Sequence, residues 1–312
     1  MMSSPQAAPL TEAQPSGEAL LELAWPIDLG LTVASHGWVH LEPWHWAAET
    51  GTLSHTELID GKAGTISVRQ RDPTTLNVAW KGFPVEAREE VLSRVARWVA
   101  ADWDPSPAIA ALGAGFAEET ALIARGGGRL LRGSTFYEDF IKTVLTVNTS
   151  WSGTCRMNAA LVAEPGGGAF PPPEALIDYG EDRLRRIAKL GFRAPVVVSA
   201  TRRMLDDGTV DAMGHGDEER LDHDYLLSLK GIGPYAAAHC RMLLCDFSRI
   251  PVDSVVVAHL RERHDTDPAT FIAARAECGA YLGLGYRLMR LREKFQVAQV
   301  EIAASPTPES AY

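Results

Sequence analysis

The stretch at residues 229–260, LKGIGPYAAAHCRMLLCDFSRIPVDSVVVAHL, restricts the possible folds more than any other part of the chain. It reads as a helix end, a Gly-Ile-Gly hairpin, a second helix, and a Pro-Val-Asp entering a third. Gly231 and Gly233 allow the tight, positive-φ backbone that a short turn between helices needs. Pro234 fits the first turn of the helix that follows, where its missing N–H costs nothing. Such a hairpin turns successive main-chain N–H groups outward, a cradle for a phosphate. Asp253 stands twenty residues beyond Gly233, beside the start of the third helix, where the helix dipole favours a charged carboxylate. Taken alone, it is either a helix cap or a chemical group.

With 312 residues the chain can hold two domains and bury a sizeable core. Its 46% hydrophobic and 22% charged residues are ordinary for a globular protein. Apolar runs break well before ~20 residues, so no membrane span is expected. The beginning, MMSSPQAAPLTEAQPSGEA, has neither a basic start nor an apolar core. A secretory signal is therefore not expected, and the expected location is cytoplasmic, nucleoid-associated in a bacterium. Its composition predicts a disordered leader over residues 1–20, and SPTPES predicts a flexible tail over 303–312. Cys155, Cys240, Cys245 and Cys278 are scattered without a CxxC pair and read as reduced thiols. The net charge of −10 argues against gripping DNA over a broad surface. Basic residues nevertheless cluster at Arg183, Arg185, Arg186, Lys189 and Arg193, and again at Arg287, Arg290, Arg292 and Lys294. Such runs read as solvated helix faces.

Between Trp25 and Gly82 the pattern is β-like: GLTVASH, GWVHLEP, GTISVRQ and TLNVAWKG are rich in Val, Thr, Ile and Trp, with Gly, Asp and Pro between them. PVEAREEVLSRVARWVAADW then changes period, with Ala87, Val91, Val95, Trp98 and Val99 at helical spacing. Pro84 starts this helix and Asp104-Pro105 ends it. Strands followed by an amphipathic helix predict an α+β domain over residues 21–110, the helix covering one face of an antiparallel sheet. Beyond it the strand signal nearly vanishes, which predicts an all-α domain of about eight to ten helices over residues 111–302. Within it, STFYEDFIKTVLTVNTS starts at Ser134 as N-cap. Phe140, Ile141, Val144 and Leu145 form its apolar stripe, which Asn148 extends by one turn.

These motifs together resemble the helix-hairpin-helix, Gly/Pro-Asp superfamily of DNA base-excision glycosylases. LKGIGPYAAA is similar to that family's hairpin, with Lys230 where proline is usual, and IPVDS is similar to its catalytic-aspartate loop. VLTVNTS resembles the segment whose Gln or Asn reaches into the duplex, which falls on Asn148. FPPPEAL followed by LGFRA resembles a signature of the 8-oxoguanine and 3-methyladenine branches. WPIDLGLT and TLNVAWKG, with the helix after them, resemble the β-rich domain that precedes the helical core in those branches. The resemblance runs from Trp25 to Val300.

The resemblance implies an α+β fold, an N-terminal antiparallel sheet-and-helix domain followed by an all-α helix-hairpin-helix glycosylase core. It implies a partner, double-stranded DNA with a damaged base, met by a monomer with no membrane role. Asp253 takes the catalytic part, because breaking an N-glycosidic bond develops oxocarbenium character that a fixed carboxylate stabilises. Lys230, Gly231, Ile232, Gly233 and Pro234 would hold the phosphate, with room for a monovalent cation, and Asn148 would fill the gap left by the extruded nucleotide. Tyr235, Trp151, Tyr281 and Tyr286 are either core aromatics or walls that stack on the flipped base. Bifunctional members carry Lys at the position held here by Tyr235, so no Schiff-base nucleophile is available. The iron–sulfur branch needs four closely spaced cysteines near the C-terminus, and none follows Cys278. The resemblance with these departures implies a monofunctional glycosylase for damaged, alkylated purines, most like the 3-methyladenine branch. An 8-oxoguanine-type enzyme without lyase activity and a non-catalytic hairpin DNA-binding protein are the rivals. No metal site is expected: His36, His40 and His45 do not share a strand face and are assigned packing roles.

Overall fold

The computed structural model describes residues 16–113 and 115–304, with backbone only for 297–304. Residues 1–15 and 305–312, most of the expected leader and tail, lie outside the described residues. Strands β1 (Ser16–Glu22), β2 (Trp44–Ala47), β3 (Thr52–Ile59), β4 (Lys62–Asp72) and β5 (Thr75–Lys81) form an antiparallel sheet in the order β1-β5-β4-β3-β2. β1 begins inside the span read as a leader, because pairing from Ser16↔Lys81 to Glu22↔Thr75 orders it. Asp60 and Gly61, at φ 50° and 73°, make the two-residue turn between β3 and β4. Alternation buries Leu53, His55, Glu57 and Ile59 of β3 with Ile66, Val68, Leu76, Val78 and Trp80 of the neighbouring strands.

Two of the expected strands are helical instead. GLTVASH contains α1 (Leu29–Ala34), and GWVHLEP contains a 3₁₀ turn at Gly37–His40. Asp28 caps α1 by accepting from Leu31 N at 2.9 Å, and Leu29, Thr32 and Val33 are buried at helical spacing. Their β-branched content mimics a strand, but tertiary burial decides. After a 3₁₀ turn at Val85–Ala87, α2 (Arg88–Trp98) lays Val91, Val95 and Trp98 on the sheet. It ends six residues before the predicted Asp104-Pro105 stop.

The helical part holds α3 (Ser106–Leu112), α4 (Ala117–Ala124), α5 (Phe136–Thr146), α6 (Trp151–Ala163), α7 (Pro173–Tyr179), α8 (Glu181–Arg186), α9 (Arg193–Asp206), α10 (His223–Ser228), α11 (Pro234–Leu243), α12 (Ser254–His264), α13 (Pro268–Ala273) and α14 (Leu282–Ala304). That is twelve among the described residues, more than expected, because several are too short to show a full turn of periodicity. Thr135, not Ser134, caps α5, accepting from Glu138 N at 3.2 Å. α5 ends at Thr146, so Asn148 does not extend its stripe; it is exposed at φ 50°. The apolar core also ignores the boundary near residue 110. One buried cluster joins the sheet and α2 to α12, α13 and α14 and takes Met242 and Leu243 of α11, and a second joins α5 through α10 to Ala236, Ala237 and Cys240 of α11. Among the described residues no helix is long and apolar enough to cross a membrane.

Charges inside the fold tie β3, α2 and α5 together. His55 Nδ1 lies 2.7 Å from Glu57 Oε1, and its Nε2 lies 3.2 Å from Glu138 Oε1. Lys142 donates to Glu138 Oε1 at 2.5 Å, and Arg94 and the Ser134 hydroxyl both donate to Glu57. Beside them Arg97 donates to Asp139 Oδ2 at 2.8 Å. Asp139 Oδ1 accepts from Gly133 N at 2.7 Å and from Trp38 Nε1 at 2.8 Å. Burial alone would raise both glutamates, but His55 and Arg94 hold Glu57, and Lys142 and His55 hold Glu138, below the ordinary carboxylate range. Burial would lower His55, and Glu138 and Glu57 outweigh it and raise the ring.

Glu138→Gln is expected to cost about 3–5 kcal/mol by denaturant titration, because it leaves Lys142 buried without its counter-charge. Linkage also sets a pH window. His55 contributes in full below its ordinary 6.5 and loses that contribution as pH rises through its raised folded value. Glu57 and Glu138 contribute in full above their ordinary 4.5 and lose it as pH falls through their lowered values. Thermal melts should therefore peak between those limits, and the alkaline decline should shrink in His55→Gln.

Candidate active site

The hairpin is held open to solvent by what lies beneath it. Gly231 sits at φ 88°, and a Cβ there would approach Val196 Cγ2 to 2.6 Å, so both conformation and space require glycine. Ile232 is buried in the helical core and its N–H donates to Leu229 O at 3.0 Å, which pins the turn. Lys230, Gly231, Gly233 and Pro234 face outward. Gly233 caps α11 with Pro234 in the first turn, and an added Cβ on Gly233 would meet nothing within 4 Å.

From this turn α11 sends Tyr235, His239 and Met242, spaced at i, i+4 and i+7, into a cleft of about 260 Å³. Residues 36–38, α5, α6, α12 and α14 complete its walls. Asp253 caps α12 and also lines the cleft: Oδ1 accepts from Val256 N at 2.8 Å, and Oδ2 has no hydrogen-bond partner among the described residues. The cap reading holds for one oxygen, and the other stands in the cleft uncommitted. Tyr235 lies nearly parallel to His239, with ring centroids 6.0 Å apart at 15°, and its hydroxyl is 3.3 Å from Thr146 Oγ1. Trp151 opens α6 at the mouth, 43% exposed, with its ring packed so closely on Gly37 that a Cβ there would come within 2.5 Å. Tyr286 lines the opposite helix, and burial pushes its phenol up to about 12.

Two expected residues stand elsewhere. Tyr281 is not part of the cleft; it packs into the sheet-side core, 6.5 Å from the Phe247 ring. Asn148 does not line the cleft, but stands exposed in the turn between α5 and α6, whose neighbours Thr146, Thr149 and Trp151 do. It therefore lies at the rim.

Four cleft residues were missed. His36 Nε2 donates to Leu131 O at 2.7 Å, which makes Nδ1 an acceptor, and that atom is buried without a partner. His239 has both ring nitrogens buried without partners. Burial, then the charge of Arg287, lowers both rings, His239 to about 3, so each is neutral. Arg287 and Arg290 line the same cleft and, among the described residues, have no carboxylate within 4.0 Å. Arg292, in the same run, is spent on Glu118 and Glu119. The other basic run is the expected solvated face at Arg185 and Arg186, paired with Glu181 and Asp182, but Arg193 is buried and donates to Val147 O. The available signal was the i, i+3 spacing of Arg287 and Arg290 directly after Tyr286.

No protein-family model and no curated protein matches the chain. Solved structures do. The 3-methyladenine DNA glycosylase of Archaeoglobus fulgidus superposes with a TM-score of 0.64 at 18% identity, over 88% of this chain and 98% of its own. The apo 8-oxoguanine glycosylase/lyase of Clostridium acetobutylicum gives 0.64 at 15% identity, over 90% and 99%. The same enzyme with double-stranded DNA containing cytosine opposite 8-oxoguanine gives 0.64 at 15%, over 92% and 100%. Over about nine-tenths of its length the chain thus has the helix-hairpin-helix DNA glycosylase fold.

Proposed function

We propose that the chain is a monofunctional DNA glycosylase that draws a damaged purine out of duplex DNA into the cleft and hydrolyses its N-glycosidic bond. The observation that carries this reading is Asp253, a half-buried carboxylate with one oxygen uncommitted, on the wall of a cleft built from Tyr235, Trp151 and Tyr286. As the bond breaks, positive charge grows on the sugar, and this carboxylate stabilises it or activates the incoming water. Negative charge grows on the departing base, and Arg287 and Arg290 are placed to stabilise it. The Gly231 and Gly233 amides, without a hydrogen-bond partner among the described residues, and Lys230 would hold a phosphate, with Asn148 entering the space of the extruded nucleotide. The open face over Gly233 would admit a monovalent cation on the hairpin's main-chain oxygens, adding positive charge toward that phosphate.

The cleft charges bear on the lesion. Two arginines against one aspartate, with both histidines neutral, leave one net positive charge. A cationic alkylated purine would be repelled there, and it departs as a neutral base that needs no counter-charge. A neutral damaged purine departs with negative charge, which the arginines suit. This favours a lesion of the 8-oxoguanine kind over the alkylated purine expected from the sequence.

Incubation with duplexes that each carry one defined lesion tests the reading. Asp253→Asn should abolish base release and keep damaged-duplex binding; turnover like that of the unaltered protein would end the proposed mechanism. No release from any lesion, with binding intact, would instead identify a non-catalytic hairpin protein. Arg287→Met should slow release of a neutral lesion by about 10²–10³-fold and spare 7-methylguanine. Borohydride should trap no covalent complex with abasic DNA, because the Tyr235 phenol cannot form a Schiff base.

A further inference from the structure

Behind the cleft wall, a separate group of side chains joins the end of α12 to α14. His259, His264 and Glu293 each place a ligand atom within 4.8 Å of the other two. His259 Nε2 lies 2.8 Å from Glu293 Oε2 in an aligned hydrogen bond. His264 Nε2 lies 3.1 Å from Glu293 Oε1, yet it is shut off from solvent and has no hydrogen-bond partner among the described residues. That second approach is therefore not a hydrogen bond, and an uncommitted ring nitrogen and a carboxylate oxygen face a shared space.

Two imidazoles and a carboxylate suit borderline divalent ions, whereas magnesium and calcium prefer all-oxygen sets. Bonds about 2.0–2.2 Å long at tetrahedral angles put ligand atoms roughly 3.4 Å apart, so these three need only small side-chain rotations. His264 is the last residue of α12, whose terminal carbonyls add negative potential for a cation. Helix periodicity hides the set, because Glu293 is distant in sequence and the two histidines are five residues apart.

We propose that His259, His264 and Glu293 bind one zinc-class divalent ion, with water as the fourth ligand, and that Tyr286 couples the ion to the cleft. Tyr286 Oη is 3.1 Å from His259 Nδ1. Without the ion, His259 Nε2–H donates to Glu293, so Nδ1 accepts from the Tyr286 hydroxyl. With the ion on Nε2, the Nε2–H bond is lost and an Nδ1–H bond forms, so the ring stays neutral. Nδ1 then donates to Tyr286 Oη, as the outer nitrogen of a metal-bound histidine does, and the Tyr286 hydrogen turns toward the cleft. The ion thus reverses the hydrogen-bonding sense of one wall of the cleft. This inference does not depend on the glycosylase reading.

The test is calorimetric titration of tag-free, full-length protein with zinc chloride, with cobalt(II) as a spectroscopic probe. One ion per chain and the intense visible bands of four-coordinate cobalt are expected. His264→Ala and Glu293→Gln, checked for native fold by circular dichroism, should each weaken binding by more than about tenfold, and Tyr286→Phe by about tenfold. Absence of saturable one-to-one binding, or binding unchanged in both ligand variants, would overturn the site. Unchanged affinity in Tyr286→Phe would overturn the coupling to the cleft.

Discussion

The cleft depends on the charged cluster buried between β3, α2 and α5. Charges taken out of water are costly, and they persist only where partners meet in one geometry. Glu57 and His55 of β3, Arg94 of α2, and Glu138 and Lys142 of α5 meet that condition across three elements, and Asp139 extends the set with Arg97. Apolar packing alone would let α5 slide against the sheet by fractions of a turn. A carboxylate that must serve Arg97, Gly133 N and Trp38 Nε1 together does not allow this. Trp38, in the 3₁₀ turn before β2, is thereby held in the cleft wall, so the N-terminal part takes part in the site through a side chain anchored to a helix.

The cleft is built economically from groups that already have structural duties. Asp253 caps α12 with one oxygen and leaves the other free. His36 is anchored through Nε2 and presents an acceptor. Small residues supply the room: Gly37 admits the Trp151 ring, and a Cβ on Gly283 would sit 2.2 Å from Arg249 O, so α14 comes close enough for Tyr286 and Arg287 to reach the cleft. The result is an aromatic space with two neutral rings and two guanidinium groups against one carboxylate, the charge balance on which the proposed release of a neutral lesion rests.

Much of this was legible along the chain because it is local. Glycine and proline declare the hairpin, an aspartate before an apolar run declares a helix start, and β-rich stretches between turn residues declare β4 and β5. Residues 30–43 misled because β-branched side chains sit on a helix whose burial decides its form. Tyr281 and Tyr286 look equivalent in sequence, yet one precedes α14 and the other lies within it, and they end in different surroundings. The one local mark of Arg287 and Arg290 is their i, i+3 spacing beside Tyr286, and only the fold separates these cleft cations from the paired Arg292.

The sequence by itself determined the glycine-built turn, the carboxylate twenty residues beyond it, and the absence of lysine at position 235, because each rests on backbone conformation or residue identity. Only the tertiary structure decided which aromatics share the cleft, that Arg287 and Arg290 stand there without a carboxylate partner among the described residues, that His36 and His239 are neutral, and that His259, His264 and Glu293 converge. Those properties are sums over neighbours distant in the chain. Burial and charge act through space, and the chain reveals them only once it has folded.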